Sequence, residues 1–297
     1  MKKRMAMLLL LVFSMTMVLA GCGSKADQPA QAPQQGDGQQ QEEQEAKGDG
    51  SWDRVKEAGV IRVGLDDSYE PMGFHDPDTN ELTGFDIEMA KMIGEKLDIE
   101  FEFVPYDWNG IVSGLQSGHF DAIISGMNMW PERKEQVDFV PYGVASQVII
   151  VRSDDANGDS IKTIEDLKGK TIGSQTGSTG AKAALSYGFE DGKDLLGYPQ
   201  FPAAVLDLQS GRLDAIIADS FTAVSIVEDG TFKIVGDTVI EKGADSDTEK
   251  IGIALRKEDD DLQAKLQEAV DELIADGSLK ELSMKWIGID ITEGVQD

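Results

Sequence analysis

From Val60 onward, apolar and polar positions alternate between a period of two and a helical period, and the two patterns take turns along the chain. The run "VIRVGLD" (60–66) predicts a short β-branched strand that leads into a turn-rich segment. In "GFDIEMAKMIGEKL" (84–97), Ile87, Ala90, Met92, Ile93 and Leu97 fall at helical spacing. "IEFEFVPY" (99–106) alternates as a strand, "WNGIVSGLQSG" (108–118) reads as helix, and "FDAIISGM" (120–127) reads as a buried strand. This alternation predicts an α/β fold with mainly parallel strands.

The pattern also repeats. "LQSGHFDAIISG" (115–126) and "LQSGRLDAIIAD" (208–219) are near copies, each a helix end, a Ser-Gly stop, a turn and a buried strand. Two similar α/β lobes, each holding one copy, are the economical reading. Ligands in open α/β sheets bind outside the carboxyl ends of strands. The copies therefore place Ser125 and Gly126 of one lobe opposite Ala218 and Asp219 of the other.

The second lobe opens with the strand "SQVIIVR" (146–152), followed by strand, Gly/Ser/Thr loop and helix in "LKGKTIGSQTGSTGAKAAL" (167–185). "KIGIALRK" (250–257) reads as a strand returning to the first lobe, and two amphipathic helices (262–277 and 279–288) complete it. Crossings near 142–147 and 245–250 would form a hinge. The expected division is 51–145 with 246–297 for lobe 1, and 146–245 for lobe 2.

The remaining segments bear on location. Lys2, Lys3 and Arg4 precede an apolar run from Met5 to Val18, and "LAGC" ends at Cys22. That order predicts a secretory signal peptide over 1–21, too short for a stable membrane span. The "LAGC" run resembles the bacterial lipobox, which implies a lipid (palmitate) on Cys22 and a lipoprotein held at the membrane. Residues 23–50 are rich in Gln, Gly, Pro and acid without apolar periodicity, so 22–50 reads as a lipidated cysteine and a flexible linker. Cys22 is the only cysteine, which excludes a disulfide framework or a Cys-based metal site. The net charge of −28 falls to −31 when the three leader cations are removed, and it argues against nucleic acid as a partner. His75 and His119, the only histidines, lie in unrelated contexts, so neither a metal nor a cofactor site is expected.

One cation stands out. In "SGMNMWPERK" (125–134), Arg133 falls two residues after a proline that reads as a helix start, where the backbone dipole prefers an anion. A guanidinium offers a rigid fork of donors matched to a carboxylate. Either Arg133 is solvated, or an anion belongs beside it.

Seven stretches in order resemble the family 3 extracellular solute-binding proteins, the polar amino acid receptors of ABC importers. They are "IRVGLDDSY" (61–69), "GFDIEMAKMI" (84–93), "DWNGIVSGLQSGHFDAIISGM" (107–127), "PERKEQVDFVPY" (131–142), "SIKTIEDLKGKTIGSQTGST" (160–179), "LQSGRLDAIIAD" (208–219) and "DGSLKELSMKWIG" (276–288). The resemblance implies a type II periplasmic-binding-protein fold, two α/β lobes joined by a two-stranded hinge, closing on one amino acid. The expected product is an extracytoplasmic, lipid-anchored monomer that delivers its ligand to a membrane permease. No phosphate loop of the G-x-x-x-x-G-K-[ST] kind is present, so ATP is not its business.

The resemblance also assigns a site. Arg133 matches the arginine that holds the ligand α-carboxylate, with Gly126 allowing close backbone approach. Asn128 stands where the family usually has Thr or Ser, and its amide can donate to the same carboxylate. Thr179 sits where a loop meets a helix, a position for anion binding through backbone N–H and hydroxyl, or for a plain N-cap. Asp219 would pair with the α-ammonium, since a buried carboxylate needs a cation. Tyr69 and Trp108 match the two aromatic walls, Asp66 reaches the ligand side chain, and Gln175 is a further side-chain contact. Two aromatics beside Asp66 favour a basic ligand, arginine or lysine, with glutamine next. Three departures from the family pattern stand beside this site: Glu70, Met72 where a wall aromatic is usual, and Trp130 in place of a capping Thr. The alternative function is a periplasmic dehydratase on the same fold, with Asp66 and Glu70 as acid/base groups; the absence of a histidine from the expected site favours a binding protein over an enzyme.

Overall fold

A computed structural model of the chain describes residues 48–295. The expected signal peptide, Cys22 and most of the linker lie outside the described residues. Helix α1 (Ser51–Ala58) leads into β1 (Val60–Leu65), followed by the small strands β2 (Ser68–Tyr69), β3 (Gly73–His75) and β4 (Leu82–Thr83). Then come α2 (Phe85–Leu97), β5 (Glu100–Pro105), α3 (Ile111–Gln116), β6 (Ala122–Ile123), α4 (Pro131–Lys134) and β7 (Asp138–Val144). The next stretch holds β8 (Gln147–Arg152), β9 (Ile172–Gln175), α5 (Thr179–Ser186), β10 (Leu195–Tyr198), α6 (Phe201–Gln209), β11 (Ala215–Asp219), α7 (Ser220–Val227) and β12 (Phe232–Val239). Strand β13 (Lys250–Leu255), α8 (Asp260–Ala275) and α9 (Ser278–Trp286) end the series.

These strands form two five-stranded sheets of the same plan. One has the order β5-β1-β6-β13-β7 and the other β10-β9-β11-β8-β12, beside a small β2-β3-β4 sheet. In each large sheet the first three strands are parallel and the last two run antiparallel to their neighbours. The expectation of mainly parallel strands therefore holds for only half of the pairings. The antiparallel strands, β7 and β8 on one side and β12 and β13 on the other, flank the two passages between sheets, and a strand returning directly from another sheet is free of the right-handed crossover rule.

Both sheets are covered on both faces, which explains the continuous apolar runs. Within β11, Ala215 and Ile217 enter the core beside α5, while Ile216 and Ala218 enter the core beside α6 and α7. The first sheet divides likewise: Ala122 and Ile124 pack with α2, α8 and α9, and Ile123 packs with α3. Burying a Val, Leu or Ile side chain in such a layer contributes roughly 1.5–3 kcal/mol relative to exposure.

Two local readings need correction. The strand expected over 120–127 pairs only at Ala122–Ile123. Beyond it Gly126 turns to φ 57, a left-handed conformation, and the chain then runs beside β13 of the same sheet, with a single bridge at Asn128–Ile251. The helix expected from 108 begins as a 3-10 turn, Trp108–Gly110, because the Asp107 side chain accepts from Asn109 N at 3.0 Å and draws the first turn tight.

The hinge is two-stranded. The chain passes from β7 to β8 through Ala145 and Ser146, and from β12 to β13 through residues 240–249. Val144 pairs with Lys250, and Ala145 N donates to Glu249 O at 2.7 Å, so the two passages are tied side by side.

Candidate functional site

Asp66, Tyr69, Trp108, Gly126, Asn128, Gln175, Thr179 and Asp219, together with Ser178, line one small cavity of about 10 Å³. The first five come from the first sheet's side of the molecule and the last four from the second's. Each set sits at the carboxyl ends of strands, where the fold leaves backbone groups and side chains without ladder partners. Arg133 lies just behind this wall and is only 7% exposed.

Arg133 is held by backbone oxygens from both sides. Nη1 donates to Asn128 O at 3.1 Å and Nη2 to Gly177 O at 3.1 Å. Its guanidinium carbon lies 4.0 Å from the Trp130 ring centre and 5.1 Å from that of Trp108. Burial lowers its pKa to about 10, against the raising influence of Asp219 and Tyr69, so it remains charged at neutral pH. Helix α4 is one turn long, and the side chain is placed by these contacts rather than by helix propensity.

Asp219 ends β11 and occupies the N-cap position of α7 without making a side-chain cap. Its carboxylate is free to turn into the cavity, where it accepts from the Tyr69 hydroxyl and from Gln147 Nε2. Burial raises its pKa, and hydrogen bonds from Tyr69 and Gln147, with the charge of Arg133, lower it. The cavity thus holds the Asp219 carboxylate, with the Arg133 guanidinium buried behind its wall.

Asp66 and Gln175 meet across the cleft, Gln175 Nε2 donating to Asp66 Oδ2 at 2.6 Å and to Pro199 O at 3.1 Å. Asp66 Oδ1 accepts from Ser68 N at 3.0 Å and Ser68 Oγ at 2.7 Å. Tyr69 is buried and packs edge-on against Phe221 with ring centres 5.9 Å apart. A Cβ at residue 126 would stand 2.9 Å from Tyr69 Cε1, so the glycine is required by both its φ and its neighbour. The Trp108 indole N–H is buried without a hydrogen-bond partner, a donor of the kind that buried sites use for ligands or water.

Thr179 does not cap α5. Ser178 does, its hydroxyl accepting from Ala181 N at 3.2 Å, and Thr179 is the first helical residue. The N–H groups at this position of a helix have no intrahelical partner, which makes them donors for an anion. The Thr179 hydroxyl donates to Asn128 Oδ1 at 2.7 Å. Of the departures, Met72 is fully buried in the core instead of leaving a gap in the cavity wall. Glu70 is exposed, and its pKa is raised by burial among its neighbours and by Glu228. Trp130 makes no side-chain cap, as its chemistry requires.

Sequence reasoning missed Gln147, Phe221, Ser178 and Asp86. Gln147 reaches Asp219 because β8 and β11 pair at these residues, a register invisible to local pattern. Asp86, buried in α2, accepts from Gly126 N at 3.0 Å and Tyr142 Oη at 2.8 Å, and burial raises its pKa to about 7. Ser178 was legible, since Ser is a preferred N-cap before such a helix. Among the described residues no His, Cys, Asp and Glu cluster could hold a metal ion, and no helix is long and apolar enough to cross a membrane.

Comparison with known proteins agrees with this arrangement. Over 246 residues the chain is 35% identical to the L-cystine-binding protein TcyJ of Escherichia coli (strain K12), covering 82% of this chain and 89% of that protein. A crystal structure of a mutant of ArgBP from T. maritima superposes with a TM-score of 0.72 at 35% identity, covering 80% of this chain and 99% of the other. An ancestral arginine-binding protein, solved both with glutamine and with arginine, is 39% identical with a TM-score of 0.69, covering 77% of this chain and 98% and 99% of those chains. Residues 61–289 match the model of the bacterial extracellular solute-binding proteins, family 3, and the chain belongs to that family of two-lobed, extracytoplasmic amino acid receptors.

Proposed function

We propose that this protein captures one polar amino acid, with a basic side chain preferred, and delivers it to the permease of an ABC importer. One observation carries the reading: a cavity lined from both sheets holds the Asp219 carboxylate, and the buried Arg133 guanidinium stands just behind the opposite wall, bonded to Asn128 O. A zwitterion fits that polarity. The α-carboxylate takes Arg133, the free Asn128 amide proton, the backbone near Gly126 and the first N–H groups of α5. The α-ammonium takes Asp219, whose burial is favourable once a cation sits beside it.

The ligand side chain then lies between Tyr69 and Trp108 and ends at Asp66 and Gln175. A guanidinium or ammonium gains an ionic contact and aromatic faces there. Glutamine can hydrogen-bond to the same pair with less gain. Cystine, named in one relative, carries at its far end an ammonium that Asp66 attracts and a carboxylate that it repels, so a basic side chain gains more there. Of the two acid/base groups a dehydratase would use, Asp66 is engaged by hydrogen bonds from Ser68 and Gln175, and Glu70 does not line this cavity.

The same reading assigns 51–145 with 246–297 to lobe 1 and 146–245 to lobe 2, closing about the hinge at Ala145. It also includes secretion by residues 1–21, anchoring through lipid on Cys22, the linker 22–50, and a monomeric receptor.

A thermal-shift screen of the soluble domain against the twenty amino acids, cystine and polyamines tests the function. A ligand at a hundred times its Kd adds roughly 2.7 kcal/mol to stability. L-Arginine or L-lysine is expected to shift the melting point most. A screen in which no amino acid shifts it would overturn the reading.

A further inference from the structure

Trp130 stands where a helix would ordinarily take a hydroxyl cap, and its surroundings give it other work. The side chain is 9% exposed. One face of the ring lies 4.0 Å from the Arg133 guanidinium carbon, and Lys182 Nζ of α5 lies 4.3 Å from the ring centre. Lys182 also forms ion pairs with Glu132 and, at 3.3 Å, with Glu241. The ring edge reaches across the cleft as well, Nε1 donating to Thr179 Oγ1 at 2.9 Å.

That last bond fixes a direction. An indole N–H can only donate, and a threonine hydroxyl has a single proton. Thr179 Oγ1 therefore accepts from Trp130 and donates to Asn128 Oδ1 at 2.7 Å. With its oxygen so engaged, Asn128 presents Nδ2, which donates to Ala145 O at the hinge, 3.3 Å away. The second Nδ2 proton remains for the cavity that Asn128 lines. Without the Trp130 donor, Thr179 Oγ1 could accept from an inverted Asn128 amide, whose oxygen would then face Ala145 O and the cavity as a repelling acceptor.

We propose that Trp130 is a positioning residue for the ligand carboxylate: it polarises a one-way hydrogen-bond relay, Trp130 to Thr179 to Asn128 to Ala145, that holds Asn128 as a donor and forms between the two lobes. The proposal rests on the amino acid reading given above. Because the relay joins residues of both lobes, its loss acts on ligand escape from the closed form more than on capture. Trp130 does not line the cavity, so it acts through Asn128 and Arg133 and not by touching ligand.

The test is a double-mutant cycle on the soluble domain with L-arginine as probe. Trp130→Phe keeps the ring and removes the donor. It is expected to raise Kd about tenfold, through dissociation rate and with little change in association rate. In a Thr179→Val background, Trp130→Phe is expected to add almost nothing, because the relay is already cut. An equal effect in both backgrounds would show a packing role and overturn the proposal, as would an unchanged dissociation rate in the single mutant. A reading that does not use affinity separates this from the function itself: in protein held closed by an engineered disulfide between the lobes, the Trp130 indole 15N–1H resonance is expected to move in Thr179→Val. If that resonance stays in place, the relay is absent whatever the protein binds. If it moves while no amino acid binds to the wild type, the function reading and the carboxylate role both fall and the relay alone stands.

Discussion

The two near copies at 115–126 and 208–219 sit at the same place in their sheets, and the comparison separates scaffold from chemistry. β6 pairs with β1 at Val63–Ala122 and Gly64–Ile123, and β11 pairs with β9 at Ile172–Ala215 and Gly173–Ile216. The supports match one for one. Asp121 Oδ2 accepts from Arg62 N at 3.1 Å, and Asp214 Oδ2 from Thr171 N at 2.8 Å. Arg256 Nη1 holds Leu115 O and Phe120 O, while Arg152 Nη1 holds Leu208 O and Leu213 O. A Cβ on Gly64 would meet the Phe120 ring at 2.5 Å, and one on Gly173 would meet Leu213 Cδ1 at 2.4 Å.

Only the strand ends diverge. One copy ends in Ser125-Gly126, resting on the buried Asp86, and the other ends in Ala218-Asp219, with the carboxylate itself in the cavity. By the same register, Asp66 and Gln175 occupy equivalent positions, and they touch each other. On the proposed function, a shared scaffold thus delivers an end for the ligand carboxylate and an end for its ammonium to the two sides of one cavity. The lesson is that polarity of the site comes from a few residues beyond the last ladder pair.

The sharpest way to break the comparison is to remove the asymmetry. Asp219→Ala or Arg133→Ala is expected to weaken amino acid binding by roughly a hundredfold or more, since each leaves a charge unpaired in the closed cavity. Isothermal titration would show it; retention of wild-type affinity by both variants would remove these residues from the site.

The two acids also predict pH behaviour. Asp86 has a folded pKa of about 7 against a usual value of 3.8, raised by burial. Its contribution to stability is full below about pH 4 and is lost as pH rises to about 7, on the order of a few kcal/mol. Chemical denaturation should show ligand-free stability falling across that window, with a flatter slope in Asp86→Asn. Asp219 is raised too, chiefly by burial, so affinity for an ammonium-bearing ligand should strengthen as rising pH ionises its carboxyl.

The scaffold should prove equivalent where the ends are not. Gly64→Ala and Gly173→Ala are each expected to cost about 1–3 kcal/mol of stability, because neither site has room for a methyl group. A large effect in one lobe and none in the other would break the one-to-one match. The smallest effect concerns selectivity: Asp66→Asn should weaken L-arginine binding about tenfold and leave L-glutamine nearly unchanged. Equal losses for both ligands would place Asp66 in support of the pocket and not in recognition.

Much of this protein is legible in its residue order. Hydrophobic period gave the order of strands and helices, because burial on one or two faces is written directly in residue spacing. The internal copies predicted two like lobes, and Arg133 and Asp219 were legible as charges in places where an isolated charge is costly. Tertiary structure alone decided the rest. Which residues meet across the cleft depends on pairing between segments far apart in the chain, as with Gln147 and Asp219, Gln175 and Asp66, or Trp130 and Thr179. The premature end of β6 at Ile123 and the burial of Met72 belong there too, set by a left-handed turn and by core packing. Local sequence fixes periodicity and propensity, which are short-range. The direction of a hydrogen bond between lobes is a long-range property, and only the closed arrangement of the whole chain specifies it.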